Sequence, residues 1–284
     1  MGLLIVNADD LGLNDEASRG ILMAHRATLV RSTSLIVNMP SSEAGVGLVR
    51  NEAALEVGLH LNVTEGSCVA PRERVASLVD DDGRFLFDTT NIGLSIQRWR
   101  KRVDTELVDH IAVEIEAQVE RFRIFGLPLA HLNAHHYFPL FHPRICSVYV
   151  RAAETLGVPF RGICKPMIEI LRLPAPEEIE IRELIAQARV PSPAVSISNL
   201  FDGSDAKEMS AAQYESAIDA ELADEDASSV ELIVHPTHGE GSPQPYEWAR
   251  RVETTLVHSE RFRRGIEARG SVLAGYSALC ATPS

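Results

Sequence analysis

The chain has 284 residues, 45% of them hydrophobic, which suits one large domain or two small ones with a sizeable core. Its formal net charge of −13 disfavours nucleic acid as the main partner, because binding to phosphates needs basic patches. The four cysteines are widely spaced without a C-x-x-C pair, which argues against a disulfide framework or a thiolate zinc site. No signal peptide and no run near about 18 apolar residues is evident, so we expect a cytoplasmic protein without a membrane partner.

The first predicted element is a strand that runs directly into two adjacent carboxylates. Residues 3–6 form an apolar run without alternation, which is typical of a strand covered on both faces in a parallel sheet. Asp9 and Asp10 follow it and would repel each other, so they need a cation, a proton or free access to water. The alternative is an Asp-rich turn that caps the next helix.

Short apolar runs and helical periodicity then alternate, which predicts an α/β fold. The predicted helices are 15–29 with Asn14 as N-cap, 104–125 ending before Gly126, and 143–156 beginning with Pro143. The predicted strands are 33–38, 55–62, 129–136, 158–161, 230–236 and 271–276. Residues 191–204 predict a long loop that could act as a lid. We expect one domain over 1–284, with a variable loop or cap region around 165–215.

Several of these strands end in a residue capable of chemistry. Besides the Asp pair, His60, His135, Arg161 and His235 each follow an apolar run. In a (β/α) barrel the C-terminal ends of the strands surround one pocket, so side chains placed there can converge. Packing alone readily explains one strand that ends in histidine, but it explains three such strands less easily.

Together, Asp10, His60 and His135 could supply one carboxylate and two imidazoles to a divalent ion. Three protein ligands with open positions are usual for a catalytic metal site. The charge of the ion would also offset the repulsion within the Asp pair. Asp9 would then remain as a general base for a water on the metal.

Two further residues complete a possible amide hydrolase. His235 could protonate a leaving amine, and Arg161 could orient a carbonyl or sugar oxygen or stabilise an oxyanion. Each also has a structural explanation: a histidine at a strand end is commonly a hydrogen-bonded structural residue, and Arg161 could simply pair with a carboxylate. Neighbouring histidines could be mistaken for the candidates: His131, His136, His142 and His238.

A set of motifs in a fixed order resembles the YdjC-like carbohydrate deacetylases. The motifs are LIVNADDLGLNDEASRGILMAH, SLIVNMP, VGLHLNVTEG, HLNAHHYFPLFHP, VPFR and ELIVHP. The resemblance implies a distorted TIM-like (β/α) barrel, often dimeric, that removes an acetyl group from an N-acetylated sugar with the help of one divalent ion, zinc or magnesium. It implies Asp10, His60 and His135 as metal ligands, Asp9 as the base and His235 as the histidine of an H-P motif.

The middle motif departs from the D-S-H-x-H-x-H that is usual in that family. The run here is Asn133, Ala134, His135, His136, Tyr137, Phe138 and Pro139. The predicted ligand His135 is kept, so the departures bear on the substrate more than on the reaction class. We expect an acetamido sugar or a related acylated amino-sugar metabolite, with Arg161, Tyr137 and Asn62 as candidates for binding it.

Two alternatives remain open at this point. One is a non-catalytic sugar-binding barrel in which aromatic side chains stack on sugar faces; the candidates are Tyr137, Phe138, Phe141 and Trp248. The other is a metal-dependent hydrolase of a different C–N bond or of a phosphoester. The scarcity of Lys and Arg near the motifs counts against phosphate substrates.

Overall fold

The computed structural model describes residues 2–198, 209–239 and 247–281, and its strands in these ranges pair only in parallel. The strands are β1 (Leu3–Leu11), β2 (Ser32–Leu35), β3 (Glu56–Leu61), β4 (Leu129–Ala134), β5 (Val195–Ile197), β6 (Ser229–Val234) and β7 (Val272–Ala274). Their order in the sheet is β4-β3-β2-β1-β6-β5, and β7 pairs with the first residues of β1.

The two ends of this strand order are joined by an extended segment. Phe160 bridges β4 at Leu132, and Cys164 bridges β5 at Ser196, both in parallel. The segment 160–164 therefore links the edge strands, and the sheet curls into a distorted TIM-like barrel. The predicted fold class is confirmed.

Helices follow most strands, as a parallel sheet requires for its crossovers. They are α1 (Asp15–Arg26), α2 (Ser42–Val49), α3 (Ile92–Arg102), α4 (Thr105–Phe125), α5 (Pro143–Leu156), α6 (Lys165–Leu171), α7 (Ala175–Ala186), α8 (Ala211–Asp224), α9 (Glu247–Val257) and α10 (Glu260–Ala268). None of those in the described ranges is long and apolar enough to cross a membrane.

The predicted helix boundaries rest on local signals that the structure confirms. The Asn14 side chain accepts a hydrogen bond from the Ala17 N–H at 2.7 Å and so caps α1. Gly126 follows α4 with a φ of 70°, a left-handed conformation that favours glycine. Pro143 stands in the first turn of α5, where no N–H is needed.

The predictions fail where the elements are short. Residues 195–197, which were predicted to be loop, form β5 and pair with β6; residues 199–204 of that loop lie outside the described residues. The predicted strand at 158–161 makes only the bridge at Phe160. Register and pairing, which decide such short strands, involve residues far away along the chain. One helix boundary also differs: α1 ends at Arg26, three residues before the predicted end.

Candidate metal centre

The end of β1 brings both carboxylates of the Asp pair into the mouth of the barrel. Successive side chains of a regular strand point to opposite faces. Here the register with β2 shifts between Ala8 and Leu11, and Asp10 has a φ of 74°. As a result Asp9 and Asp10 are both buried, with 2% and 1% of their surface exposed. This strained backbone is characteristic of functional sites.

Three potential ligand atoms form a small triangle at this mouth. The Asp10 Oδ1 lies 3.4 Å from His60 Nε2 and 3.1 Å from His135 Nδ1. The two imidazole nitrogens are 3.3 Å apart. Adjacent ligands held about 2.1 Å from one ion in tetrahedral or octahedral geometry are separated by about 3.0 to 3.4 Å. The triangle therefore fits a divalent cation without rearrangement of the side chains.

The orientation of His60 is set by an amide. Asn133 Nδ2 donates to Asp9 Oδ1 at 3.0 Å and to Ser34 Oγ at 2.9 Å, which leaves its Oδ1 as the acceptor. This oxygen lies 2.7 Å from His60 Nδ1, so the proton resides on Nδ1. The lone pair on His60 Nε2 then faces Asp10 and His135, as a metal ligand requires.

A carboxylate orients His135 in the same way. Glu65 Oε2 lies 3.2 Å from His135 Nε2, and Nδ1 faces Asp10. Burial alone would lower the pKa of His135, but the neighbouring Asp10 and Glu65 raise it to about 9. Without a cation the imidazole therefore holds a proton between two carboxylates.

The second oxygen of Asp10 is also paired. Arg250, on α9, donates from Nη2 to Asp10 Oδ2, while Oδ1 faces the two histidines. Burial would raise the pKa of Asp10, but Arg250 and His135 hold it well below its usual range. The carboxylate is thus ionised and keeps one oxygen directed at the candidate ligands.

A buried charge network surrounds Asp9. Arg161 donates to both Asp9 oxygens, at 2.6 and 2.9 Å, and its Nε and Nη2 also donate to Glu231. Glu231 in turn accepts from Ser196 Oγ at 2.7 Å. Burial would raise the pKa of Asp9, but Arg161, followed by His60 and His235, lowers it well below the usual range. Asp9 is therefore ionised and fixed in position.

We expect Arg161→Leu to lower the free energy of unfolding by about 3–5 kcal/mol, because it leaves Asp9 and Glu231 buried without their cation. Arg182→Leu is the matched control: Arg182 forms an exposed pair with Glu178 on α7, and such pairs contribute less than about 1 kcal/mol. Urea unfolding of both variants measures the difference. Equal midpoints would show that the buried network does not stabilise the fold.

The last candidate, His235, follows β6 and faces Asp9. Its Nδ1 lies 3.2 Å from Glu253 Oε2, which also accepts from the His235 backbone N–H at 2.6 Å. Tyr214 donates to the other oxygen of Glu253 at 3.0 Å. His235 Nε2 is 3.9 Å from Asp9 Oδ2. The glutamate thus orients the ring so that Nε2 points toward the Asp9 carboxylate.

The three predicted substrate-binding residues are all buried and already engaged. Arg161 is bound to Asp9 and Glu231, and the Tyr137 ring lies 5.7 Å from its guanidinium carbon. Asn62 Oδ1 accepts from the Thr64 and Glu65 backbone N–H groups, so it shapes the turn that carries Glu65.

Sequence reasoning missed several partners of the site: Ser34, Glu65, Asn133, Glu231, Arg250 and Glu253. One of them had a signal in the sequence. Glu231 is a charged residue inside the apolar run of β6, where it is fully buried, and a buried charge must be paired. Arg250 and Glu253 lie on a helix, far along the chain from the Asp pair, and no local pattern connects them with it.

Two curated relatives are carbohydrate deacetylases. That of Brevibacillus brevis is 38% identical over 158 residues, which are 56% of this chain and 58% of the relative. That of Vibrio campbellii is 33% identical over 159 residues, again 56% and 58%. The alignments therefore span little more than half the length of these relatives.

Solved structures share the fold. A protein from Enterococcus faecalis described as a putative cellobiose-phosphate cleavage protein superposes with a TM-score of 0.79 at 24% identity, over 98% of both chains. The lactam utilization protein from Thermus thermophilus gives a TM-score of 0.51 at 16% identity, over 97% of this chain and 100% of that chain. At these identities the similarity is one of fold alone. The sequence model of the YdjC-like protein family matches residues 3–268, and the chain therefore belongs to this family.

Proposed function

We propose that the chain is a metal-dependent deacetylase that removes an acetyl group from an N-acetylated amino sugar. The observation that carries the proposal is the triangle of Asp10 Oδ1, His60 Nε2 and His135 Nδ1 beside Asp9 and His235. The carbohydrate deacetylases among the relatives support the substrate class.

In this proposal Asp10, His60 and His135 hold one divalent ion, zinc or magnesium. When bound there, such an ion would polarise the amide carbonyl and lower the pKa of a water. Carboxylate plus two imidazoles suits zinc and several other divalent ions, so the donor set does not select one metal.

Asp9 and His235 carry the proton transfers. Asp9 is ionised, and its carboxylate accepts the proton of the attacking water. His235 Nε2 faces the same space and, once protonated, donates to the leaving amine nitrogen, while Glu253 holds its Nδ1–H. Arg161 positions Asp9 through two hydrogen bonds.

Direct contact of the substrate with Arg161, Tyr137 or Asn62 stays a prediction. Their burial favours positioning roles, because a side chain buried within the protein has little surface to offer a sugar. The cytoplasmic location, a homodimer, the absence of nucleic acid among the partners and a cap around residues 165–215 also stay predictions.

A panel of N-acetylated mono- and oligosaccharides tests the proposal. The protein is loaded with zinc or magnesium, acetate release is measured, and a sample treated with a chelator is the control. Acetate release that stops with the chelator is the expected result. Sugar binding that is unaffected by the chelator, without turnover, would instead support a binding barrel. Turnover of phosphoesters or other amides alone would indicate a different hydrolase.

We expect the affinity for the divalent ion to rise with pH until about pH 9. Binding must displace the proton of His135, whose pKa is about 9, so the association constant should rise about tenfold per pH unit below that value. Titration with a buffered metal indicator measures it. An affinity independent of pH would show that no protonated ligand is displaced.

The same shift affects the stability of the metal-free protein. The pKa of His135 is raised above its ordinary value of 6.5, so its proton stabilises the folded state most below pH 6.5. This contribution is lost as the pH rises through about 9.

A further inference from the structure

A second group of potential ligands adjoins the first. Glu65, His135 and His136 each offer a ligand atom, and these atoms all lie within 4.8 Å of one another. The Glu65 side chain is 27% exposed, whereas that of Asp10 is 1% exposed. The second group therefore lies on the solvent side of the buried triangle.

In the part of the chain that the structure describes, the hydrogen bond of His136 is made through Nδ1. Thr64 Oγ donates its single proton to Asn62 Oδ1 at 3.2 Å, because an amide oxygen can only accept. Thr64 Oγ then accepts from His136 Nδ1, which lies 2.9 Å away. The proton of His136 is therefore on Nδ1, and its Nε2 carries a lone pair, as a metal ligand requires.

The His136 ring is also held in place by its neighbours. Its ring centroid lies 5.9 Å from that of Phe87 and 3.9 Å from that of His135. The backbone of His136 has a φ of 53°, and so does that of Tyr137. Non-glycine residues adopt this conformation only where the surrounding contacts impose it, and such strain concentrates at functional sites.

We propose that Glu65, His135 Nε2 and His136 form a second, outer position for a divalent cation. Adjacent ligands on one ion lie about 3.0 to 3.4 Å apart, and Glu65 Oε2 and His135 Nε2, at 3.2 Å, already have this separation. One carboxylate and two imidazoles make it chemically similar to the inner site of Asp10, His60 and His135. The inference rests on the proposed metal dependence.

The two positions are alternatives because they share the His135 ring. A neutral imidazole has one nitrogen lone pair that can bind a metal ion. With an ion at the inner position this lone pair is on Nδ1, and Nε2–H donates to Glu65. With an ion at the outer position the lone pair is on Nε2, and Nδ1–H donates to Asp10. The native chain therefore binds one ion across the two positions.

Crystals of Asp10→Asn soaked in Co²⁺ test this proposal through the anomalous signal of cobalt. Native crystals should show a peak within the triangle of Asp10, His60 and His135. The Asp10→Asn variant loses a ligand of the inner site only, so its peak should move to a position between Glu65 and His136. Asp10→Asn/His136→Asn should lose the peak altogether.

Titrations with Co²⁺ measure binding by the same variants in solution, outside the crystal. His142→Asn, added to Asp10→Asn, is the matched control, because His142 caps α5 and asparagine also serves as an N-cap. This variant should bind Co²⁺ as Asp10→Asn does, and circular dichroism verifies that each variant is folded.

The outcomes separate this proposal from the proposed function. Native protein that binds one Co²⁺ while folded Asp10→Asn binds none would overturn the outer position alone, as would equal binding by Asp10→Asn and Asp10→Asn/His136→Asn. Two ions on the native chain would overturn the exclusion between the positions. Native protein without a peak in the inner triangle would overturn the proposed function.

Discussion

Replacing Asp9 with asparagine should lower the rate of acetate release by about 10²- to 10⁴-fold, the usual contribution of a general base. Asparagine has the same shape but accepts no proton at neutral pH. Asp9 is not among the three ligands of the triangle, so the bound metal should remain at the native level. The steady-state rate on the best sugar of the panel, with the metal content of the same sample, measures both effects.

The network around Asp9 makes this variant interpretable. Arg161 also binds Glu231, so its guanidinium remains paired with a buried carboxylate when asparagine replaces Asp9. Asp9→Asn should therefore fold. Asp81→Asn, a change of the same type at an exposed position, is the matched control and should keep the native rate. Native turnover by metal-loaded Asp9→Asn would mean that another group is the base.

Much of the architecture could be predicted because its signals are local. The non-alternating run of β1 indicated a strand buried on both faces, and it is buried along nearly all its length. The strand ends at Asp10, His60 and His135 converge because parallel strands in a barrel share one mouth. In contrast, β5 has three residues, Val195–Ile197, in a segment rich in Pro and Ser. Its strand conformation depends on pairing with β6 and has no local pattern.

The electrostatics of the site could not be predicted in the same way. Asp9 and Arg161 are 152 residues apart in sequence, and nothing in the sequence near either residue shows that they pair. The role of Asn133, which stands where the family motif usually has aspartate, becomes clear only from the structure. Its side-chain amide accepts a hydrogen bond from His60 and donates one to Asp9. An aspartate there would place another negative charge beside Asp9, which it would repel. The amide thus fixes His60 without adding charge to the site.

His135→Ala should abolish binding of the divalent ion at the inner position and, with it, acetate release. Removing a residue that hydrogen-bonds to a metal-bound histidine lowers the metal affinity about 10- to 100-fold. Removing the histidine itself should lower the affinity by more than this. We expect about one ion per chain in the native protein and little in the variant by elemental analysis after dialysis. His258→Ala, which removes an exposed histidine bonded to the Thr254 carbonyl, is the control and should keep the ion.

A graded series makes the result for His135 specific. Glu65→Gln keeps the imidazole but weakens the acceptor of its Nε2–H, so affinity at the inner position should fall by the smaller factor of about 10 to 100. Asp10→Asn and His135→Ala should both exceed this loss, because each removes a ligand atom of the triangle. Equal metal in His135→Ala and in the native protein would show that His135 is not a ligand. Asp10 and His135 would then form a buried ion pair, because the raised pKa of the imidazole keeps it protonated beside that carboxylate.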